Sequence, residues 1–326
     1  MSADSLKVTV IICAYNAAST IRAAIESLQI QTARASEILV IDDASSDDTI
    51  EVVESIMKSD PTVRLLRNDE NRGTAFSRQR GLNEAGSDFV MFLDADDMAE
   101  ECLVERLQTT LRDDPNIIGV GSYATYVSAS NRDLGIQKVG PESRCEFERM
   151  YNDRKLLFMA PTTLFRKSDA LRVGGYRQDI LPNEEGIRYQ DFAEDLDLWC
   201  RMSDLGASGR YFLTLPEPLF RYRKPEQSLS TKNLKLMQLK MRWIKDCLRR
   251  RRYGQSEESL ASFIASRTVW DRLNDWRSDS AAAWYKKAGF AWMRRDWLRL
   301  AIFLGLSGAF SPKLIRQKLK TQTASR

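Results

Sequence analysis

The sequence predicts an α/β protein with a Rossmann-like, mainly parallel central sheet, followed by a helical C-terminal extension. Three observations carry this. As far as about residue 114, short β-branched runs alternate with segments of helical periodicity, the pattern of a parallel sheet covered by helices. From Thr231 onward long helical segments replace the alternation. The charge changes at the same point, from 27 basic and 38 acidic residues up to Thr231 to 22 basic and 7 acidic residues beyond it. These changes place an α/β domain at residues 1–231, with halves of about 1–115 and 116–231, and a basic helical region at 232–326.

The elements follow in order. Residues 8–13, 38–41, 63–66 and 89–93 are short apolar or β-branched runs and read as strands. Between them, residues 19–30, 47–57, 74–84 and 100–112 carry apolar residues at helical spacing, with Ser19 and Ser46 or Asp47 as N-caps. Residues 116–127 are strand material and 128–147 are polar and loop-like. Residues 160–166 read as a strand and 167–173 as a short helix stopped by Gly174-Gly175. Residues 191–206 read as a helix that begins in acids and ends in glycine. Residues 211–215 and 218–222 form two closing strands, and helices are expected over 233–252, 256–276, 280–306 and 312–320.

Composition narrows the chemistry. The 326 residues contain no histidine, which removes the commonest proton shuttle and the commonest transition-metal ligand together. A site here runs on carboxylates, and a bound metal would be a hard cation such as Mg2+ or Mn2+. The five cysteines are scattered without a C-x-x-C pair, so neither zinc nor a disulfide framework is indicated. The first residues do not resemble a signal peptide, and the longest apolar stretch, near 298–310, is too short and interrupted to span a bilayer; both point to a cytoplasmic protein.

Phe89-Val-Met-Phe-Leu-Asp-Ala-Asp-Asp97 is the strongest local signal, an apolar strand delivering three acids at its carboxyl end. Their mutual repulsion calls for a compensating cation or basic group, and a divalent ion held by oxygen ligands supplies one, although acids at that point also suit the start of the next helix. Three further stretches accompany it: Val10-Ile-Ile-Cys-Ala-Tyr-Asn16, Val40-Ile-Asp-Asp-Ala-Ser-Ser-Asp-Asp-Thr49 and Asn71-Arg-Gly-Thr-Ala-Phe-Ser-Arg-Gln-Arg-Gly81. In this order and spacing the four resemble the signature of glycosyltransferase family 2, over about residues 7 to 230.

The resemblance implies a GT-A fold and an inverting transfer of sugar from a nucleotide diphosphate donor, commonly a UDP-sugar, to an acceptor hydroxyl. It further implies a role in bacterial-type surface polysaccharide or glycolipid synthesis, with a sugar or lipid-linked acceptor. By position, Ala14, Tyr15 and Asn16 would line the nucleotide, Tyr15 lying against the base, and Asp43 would accept from the uracil imide N–H. Arg78 would bridge diphosphate or ribose oxygens. Asp94 and Asp96 match the family's D-x-D motif, with Asp96 the direct metal ligand and Asp94 reaching ribose or a metal-bound water. Glu194-Asp195 matches its E-D motif, which makes Asp195 the base, with Trp199 lining it. Gly175 and Tyr176 resemble an acceptor-side loop, and Arg223 and Lys224 the closing segment, where Lys224 replaces a common histidine.

Blander roles stand beside these: Tyr15 as a surface aromatic, Asp43 as a turn residue, Arg78 on a solvated helix face or in an ion pair with the nearby acids, and Asp195 and Asp197 as helix-start acids. A phosphohydrolase using Asp94 and Asp96, and a non-catalytic nucleotide-sugar binder, are the competing functions. The basic tail combines six tryptophans with Arg249 to Arg252, Lys286-Lys287 and Arg294-Arg295, a composition suited to an anionic membrane surface on the cytoplasmic face. The alternative is that the tryptophans pack the helices; no recognised nucleic-acid module accompanies the charge.

Overall fold

The computed structural model describes residues 6–178, 187–223, 233–293 and 295–312. The chain forms two compact units. The first comprises the residues up to 224 together with Ile244–Glu257, and the second takes residues 225–243 and everything from Glu258.

In the first unit β1 (Val8–Ala14), β2 (Glu37–Asp42), β3 (Val63–Arg67) and β4 (Phe89–Phe92) run parallel in the order β3-β2-β1-β4. Val8, Val10, Ile11 and Ile12 are wholly buried, as a strand covered on both faces requires. The helices α1 (Ile21–Gln29), α2 (Thr49–Met57) and α3 (Thr74–Glu84) connect these strands, with α3 lying on β1 and β2. Gly81 permits that approach, since a Cβ there would meet Ile11 Cγ2 at 2.5 Å. The expected N-caps shift by one or two residues: Thr20 and Asp48 precede α1 and α2 and make no side-chain cap. Asp47 instead accepts from the N–H groups of Thr49 and Ala18.

Beyond β4 come β5 (Met98–Ala99), α4 (Leu103–Asp113), β6 (Ile117–Val127), β7 (Asp133–Gln137), α5 (Arg144–Asn152), β8 (Leu164–Arg166), α6 (Lys167–Arg172), α7 (Glu194–Met202) and β9 (Tyr211–Arg223). The sheet continues from β4 through β8, β6 and β9 to β5, with β7 paired to β6. The segment expected to be loop holds β7 and the start of α5, whose N-cap Ser143 accepts from Glu146 N–H at 3.2 Å. The two expected closing strands are one. In the β9 ladder Leu215 faces Ser122 and Pro218 faces Tyr123, so Pro216 and Glu217 are absorbed in a bulge and the strand does not end. The helix expected from 191 shortens to α7, flanked by 3-10 turns at Tyr189–Asp191 and Ser203–Ser208.

Next in the chain is α8 (Leu234–Arg252), followed by α9 (Leu260–Ala265), α10 (Val269–Met293) and α11 (Trp297–Phe310). The break between α9 and α10 differs from expectation because Thr268 and Asp271 form a reciprocal cap: Thr268 N–H donates to Asp271 at 3.0 Å, and Asp271 N–H to Thr268 Oγ1 at 3.1 Å. In the second unit α10 and α11 pair through Trp284 stacked on Phe303 at 5.6 Å and Trp276 edge-on to Phe310 at 5.3 Å. The helix expected at 312–320 lies outside the described residues apart from its first position. No helix among the described residues is long and apolar enough to cross a membrane.

Candidate active site

Ligands of open α/β sheets sit beyond the carboxyl ends of the strands, and part of the predicted set, residues 14–16, Asp43, Asp94 and Asp96, lies at or just after strand ends there. Ala14 ends β1 and is buried. Tyr15 follows it, 53% exposed, and Asn16 adopts a left-handed φ of 51°. Asn16 is fastened at both ends: its N–H donates to Ser45 Oγ at 2.9 Å, and its Oδ1 accepts from Ser46 N–H at 2.8 Å. The loops after β1 and β2 are therefore one hydrogen-bonded wall, with Tyr15 displayed on it.

Asp43 has more internal work than its motif suggested. Its Oδ1 accepts from Asn68 Nδ2 at 2.6 Å and Arg72 N–H at 3.0 Å, and its Oδ2 from Gly73 N–H at 2.8 Å. It fixes the glycine loop that opens α3, and Oδ2 keeps a lone pair for a further donor. Gly73 itself stands at φ 91°, and a Cβ there would overlap the Asp191 carboxylate, which accepts from Ala75 N–H at 2.8 Å. Asn68 and Asp191 were missed in the sequence. Asn68 follows β3 at the same sheet edge, a placement the strand-end rule offers, whereas Asp191 reaches α3 from 116 residues away and leaves no local signal.

Arg78 lies buried at the centre. It donates to Asp94 Oδ1 at 2.9 Å and lies 3.3 Å from Glu194 Oε1. Burial opposes its charge, but Asp94 and Glu194 outweigh that and hold the guanidinium firmly protonated. It is thus not on a solvated helix face but ion-paired with nearby acids, the other of its blander roles, and this makes it a strut between the two acidic motifs. Its own ring neighbour is Phe92, 5.2 Å away, against which Tyr176 packs edge-on at 5.6 Å.

The three acids after β4 have separate fates. Asp94 is partly exposed beside Arg78. Asp96 is pushed up to about 6, first by burial and then by the charge of Asp94. Asp97 is buried and raised further by the same causes; its Oδ1 accepts from Arg223 N–H at 2.8 Å, and its Oδ2 has no hydrogen-bond partner. None of them caps α4, whose N-cap position is Cys102. The Arg223 side chain donates to the carbonyls of Asp96 at 3.0 Å and Ala129 at 2.8 Å, so it secures this loop. Lys224 lies outside the described residues. Among the described residues no group of three or more Cys, Asp or Glu side chains is arranged to hold a metal unaided. Asp94 and Asp96 nevertheless fit a hard divalent cation, because two crowded carboxylates leave coordination positions for substrate oxygens and a cation relieves their repulsion.

Glu194 and Asp195 open α7 after Ala193, which adopts φ 51°. Asp195 is partly exposed, and its Oδ1 accepts from Leu196 N–H at 2.7 Å. Asp197, two residues on, is buried between Arg177 at 3.1 Å and Arg201 at 2.8 Å and belongs to the fold. Trp199 does not line Asp195: it is a core side chain, edge-on to Phe165 at 5.2 Å and Phe212 at 5.9 Å. Tyr176 is also a core residue; its N–H donates to Gln79 Oε1 at 2.6 Å, while Gly175, at φ 61°, leaves room for that glutamine.

Residues 9–173, half of the chain, match the family described as glycosyl transferase family 2. An uncharacterised glycosyltransferase of Haemophilus influenzae is 31% identical over 66% of this chain and 65% of its own length. The cholesterol galactosyltransferase of Borreliella burgdorferi is 28% identical over 64% of this chain and 59% of its own. The matches thus span about three-fifths of these relatives. The crystal structure of S. aureus TarS 1-349 in complex with UDP aligns over 92% of this chain and 89% of that one, with a TM-score of 0.52 at 16% identity, which shows a shared GT-A fold. The fold and the matched half of the sequence agree, and the chain belongs to glycosyl transferase family 2.

Proposed function

We propose that the protein transfers a sugar, with inversion, from a nucleotide diphosphate donor, a UDP-sugar, to an acceptor hydroxyl. The observation that carries the reading is the Arg78 strut, which ties the Asp94 side of the crevice to the helix start that bears Asp195. The UDP complex of the structurally similar TarS supports the choice of nucleotide. Tyr15 offers its exposed ring to the base, and Asp43 offers the remaining lone pair of Oδ2 to an N–H donor. Asp96 with Asp94 would hold Mg2+ or Mn2+, which when bound supplies positive charge opposite the departing diphosphate. Asp195 accepts the proton of the acceptor hydroxyl as its oxygen bonds to the anomeric carbon and the bond to diphosphate breaks.

The test is turnover of UDP-sugars with Mg2+ or Mn2+ by the wild type and Asp195→Asn, alongside donor binding by calorimetry. Loss of transfer with donor affinity retained is expected. Transfer at the wild-type rate in the variant overturns the base, and donor binding without turnover in the wild type reduces the chain to a binding module.

For the acceptor we favour a lipid-linked sugar presented at the cytoplasmic face of an anionic membrane. Its support is the second unit, where Trp270 and Leu298 are each 74% exposed, and Trp292 and Trp297 are exposed beside Arg295 and Arg299. Full-length Trp297→Ala/Leu298→Ala should sediment less with phosphatidylglycerol vesicles than the wild type. Equal sedimentation would remove this part of the reading.

A further inference from the structure

The run Arg249 to Arg252 is uniform in sequence and divided in structure. Arg250 pairs with Asp246 at 2.6 Å, Arg251 with Asp204 at 2.5 Å, and Arg252 with Asp204 at 2.5 Å and the Tyr151 carbonyl at 2.9 Å. Arg250 thus pairs within α8 itself, and Arg251 and Arg252 fasten its end to Asp204. Arg249 does not join them. It is exposed, and with Lys245, one helical turn earlier, it lines a cavity of about 500 Å3 whose far wall is the loop after α5.

That loop adds two more cations, Arg154 and Lys155, and one acid, Asp153, which pairs with Lys155 at 2.8 Å. Arg154 is held over the Tyr253 ring at 4.1 Å with its backbone at φ 51°, so its position is set by the fold and not by a carboxylate. Among the described residues no carboxylate lies within ion-pair distance of Lys245 or Arg249. Like charges one turn apart repel, which disfavours the helix slightly and leaves both cations available. The apolar lining is equally pointed. Leu157 and Met159 are buried, whereas Phe158 between them is 41% exposed and turns into the cavity with Leu156.

Four cations against one acid, beside a displayed aromatic ring, match an anion that carries an apolar group. Guanidinium and ammonium donors together favour phosphate oxygens. We propose that this cavity is a phosphate-binding site for a phosphate ester joined to an apolar group, separate from the crevice at the strand ends. The phosphate can be that of a free ester or of an anionic lipid headgroup; the recognising chemistry is the same. The site does not depend on the donor reading, and its test involves no sugar transfer.

The test uses the full chain and two probes at low salt: inorganic phosphate by calorimetry, and phosphatidylglycerol vesicles by sedimentation against phosphatidylcholine vesicles. The variant is Lys245→Gln/Arg249→Gln, with Arg250→Gln, outside the cavity, as the control. Because Lys245 and Arg249 are exposed and repel each other, the double variant should melt no lower than the wild type. Its affinity for at least one probe should fall about tenfold, the loss of two charge-assisted contacts, while the control binds as the wild type does. A fall for phosphate assigns a free ester, and a fall confined to phosphatidylglycerol assigns a headgroup; either supports the site. Equal binding by wild type and double variant, or no binding of either probe, overturns it.

Discussion

Two acidic runs face the same crevice, residues 94–97 after β4 and residues 194–197 at the start of α7, and each gives one carboxylate to the fold. In the first run the buried member, Asp97, receives a backbone N–H from Arg223 and no guanidinium, and its acid is pushed up. In the second, Asp197 is clasped by Arg177 and Arg201. Identical side chains at similar spacing thus divide into structural and chemical groups according to their partners. A carboxylate between two guanidiniums is ion-paired scaffold, and one at the crevice edge without them is free to exchange a proton or bind a cation.

The largest expected effect breaks this comparison directly. Asp195→Asn should lower turnover by about 10³-fold, the usual worth of a positioned base, with its melting temperature unchanged. Asp197→Ala should do the reverse in kind, destabilising the protein by about 3 kcal/mol because Arg201 is left buried without its partner. Denaturant unfolding and single-turnover assays on both variants decide it. If Asp197→Ala instead unfolds like the wild type and is inactive, the division between the two acids is wrong.

Arg78→Lys sharpens the link between the runs. A point charge does not span Asp94 and Glu194 as the planar fork does, so donor affinity should fall about tenfold while the fold survives. Unchanged donor affinity in calorimetry would mean that the strut serves packing alone.

How much of this was legible follows from where the partners lie. The strands β1, β2 and β4 were readable because burial on both faces demands unbroken apolar runs, half-buried β3 from its place in the strand-helix alternation, and the motif residues because strand ends converge. The roles of Asp43, Trp199 and Tyr176 were not. Asp43 binds Asn68 and Gly73 across 25 and 30 residues, and Trp199 on α7 meets Phe165 on β8, contacts that leave no periodic trace. The division of the arginine run was hidden for the same reason: Asp204 lies 47 residues before Arg251. The continuity of β9 across Pro216 and Pro218 was hidden because a bulge and a strand end carry the same proline signature.

A second contact, through Gly73 and Asp191, ties the segment just before the 194–197 run to the start of α3, the helix that carries Arg78. Gly73→Ala meets two penalties, a left-handed backbone and the Asp191 carboxylate, and should cost about 1–2 kcal/mol. In the double variant with Asp191→Ala only the backbone penalty remains. The two changes should therefore be non-additive in denaturant unfolding; strict additivity would show that the carboxylate does not constrain the loop.

The smallest effect is a pH dependence that tests how far the Asp197 clasp extends. Arg177 serves both Asp197 and Glu257, and Glu257 also receives Arg251. Burial pushes the Glu257 carboxyl up, but hydrogen bonds from Arg251 and Arg177 outweigh it and hold the group below its ordinary 4.5. A folded pKa below the unfolded value means that ionised Glu257 stabilises the protein above about pH 4.5, and that this contribution fades as pH falls through the depressed value. Glu257→Gln should accordingly melt lower than the wild type at neutral pH, and the gap should close in acid. A gap that stays constant with pH would assign the loss to packing and confine the charge pairing of this region to Asp197 and its two arginines.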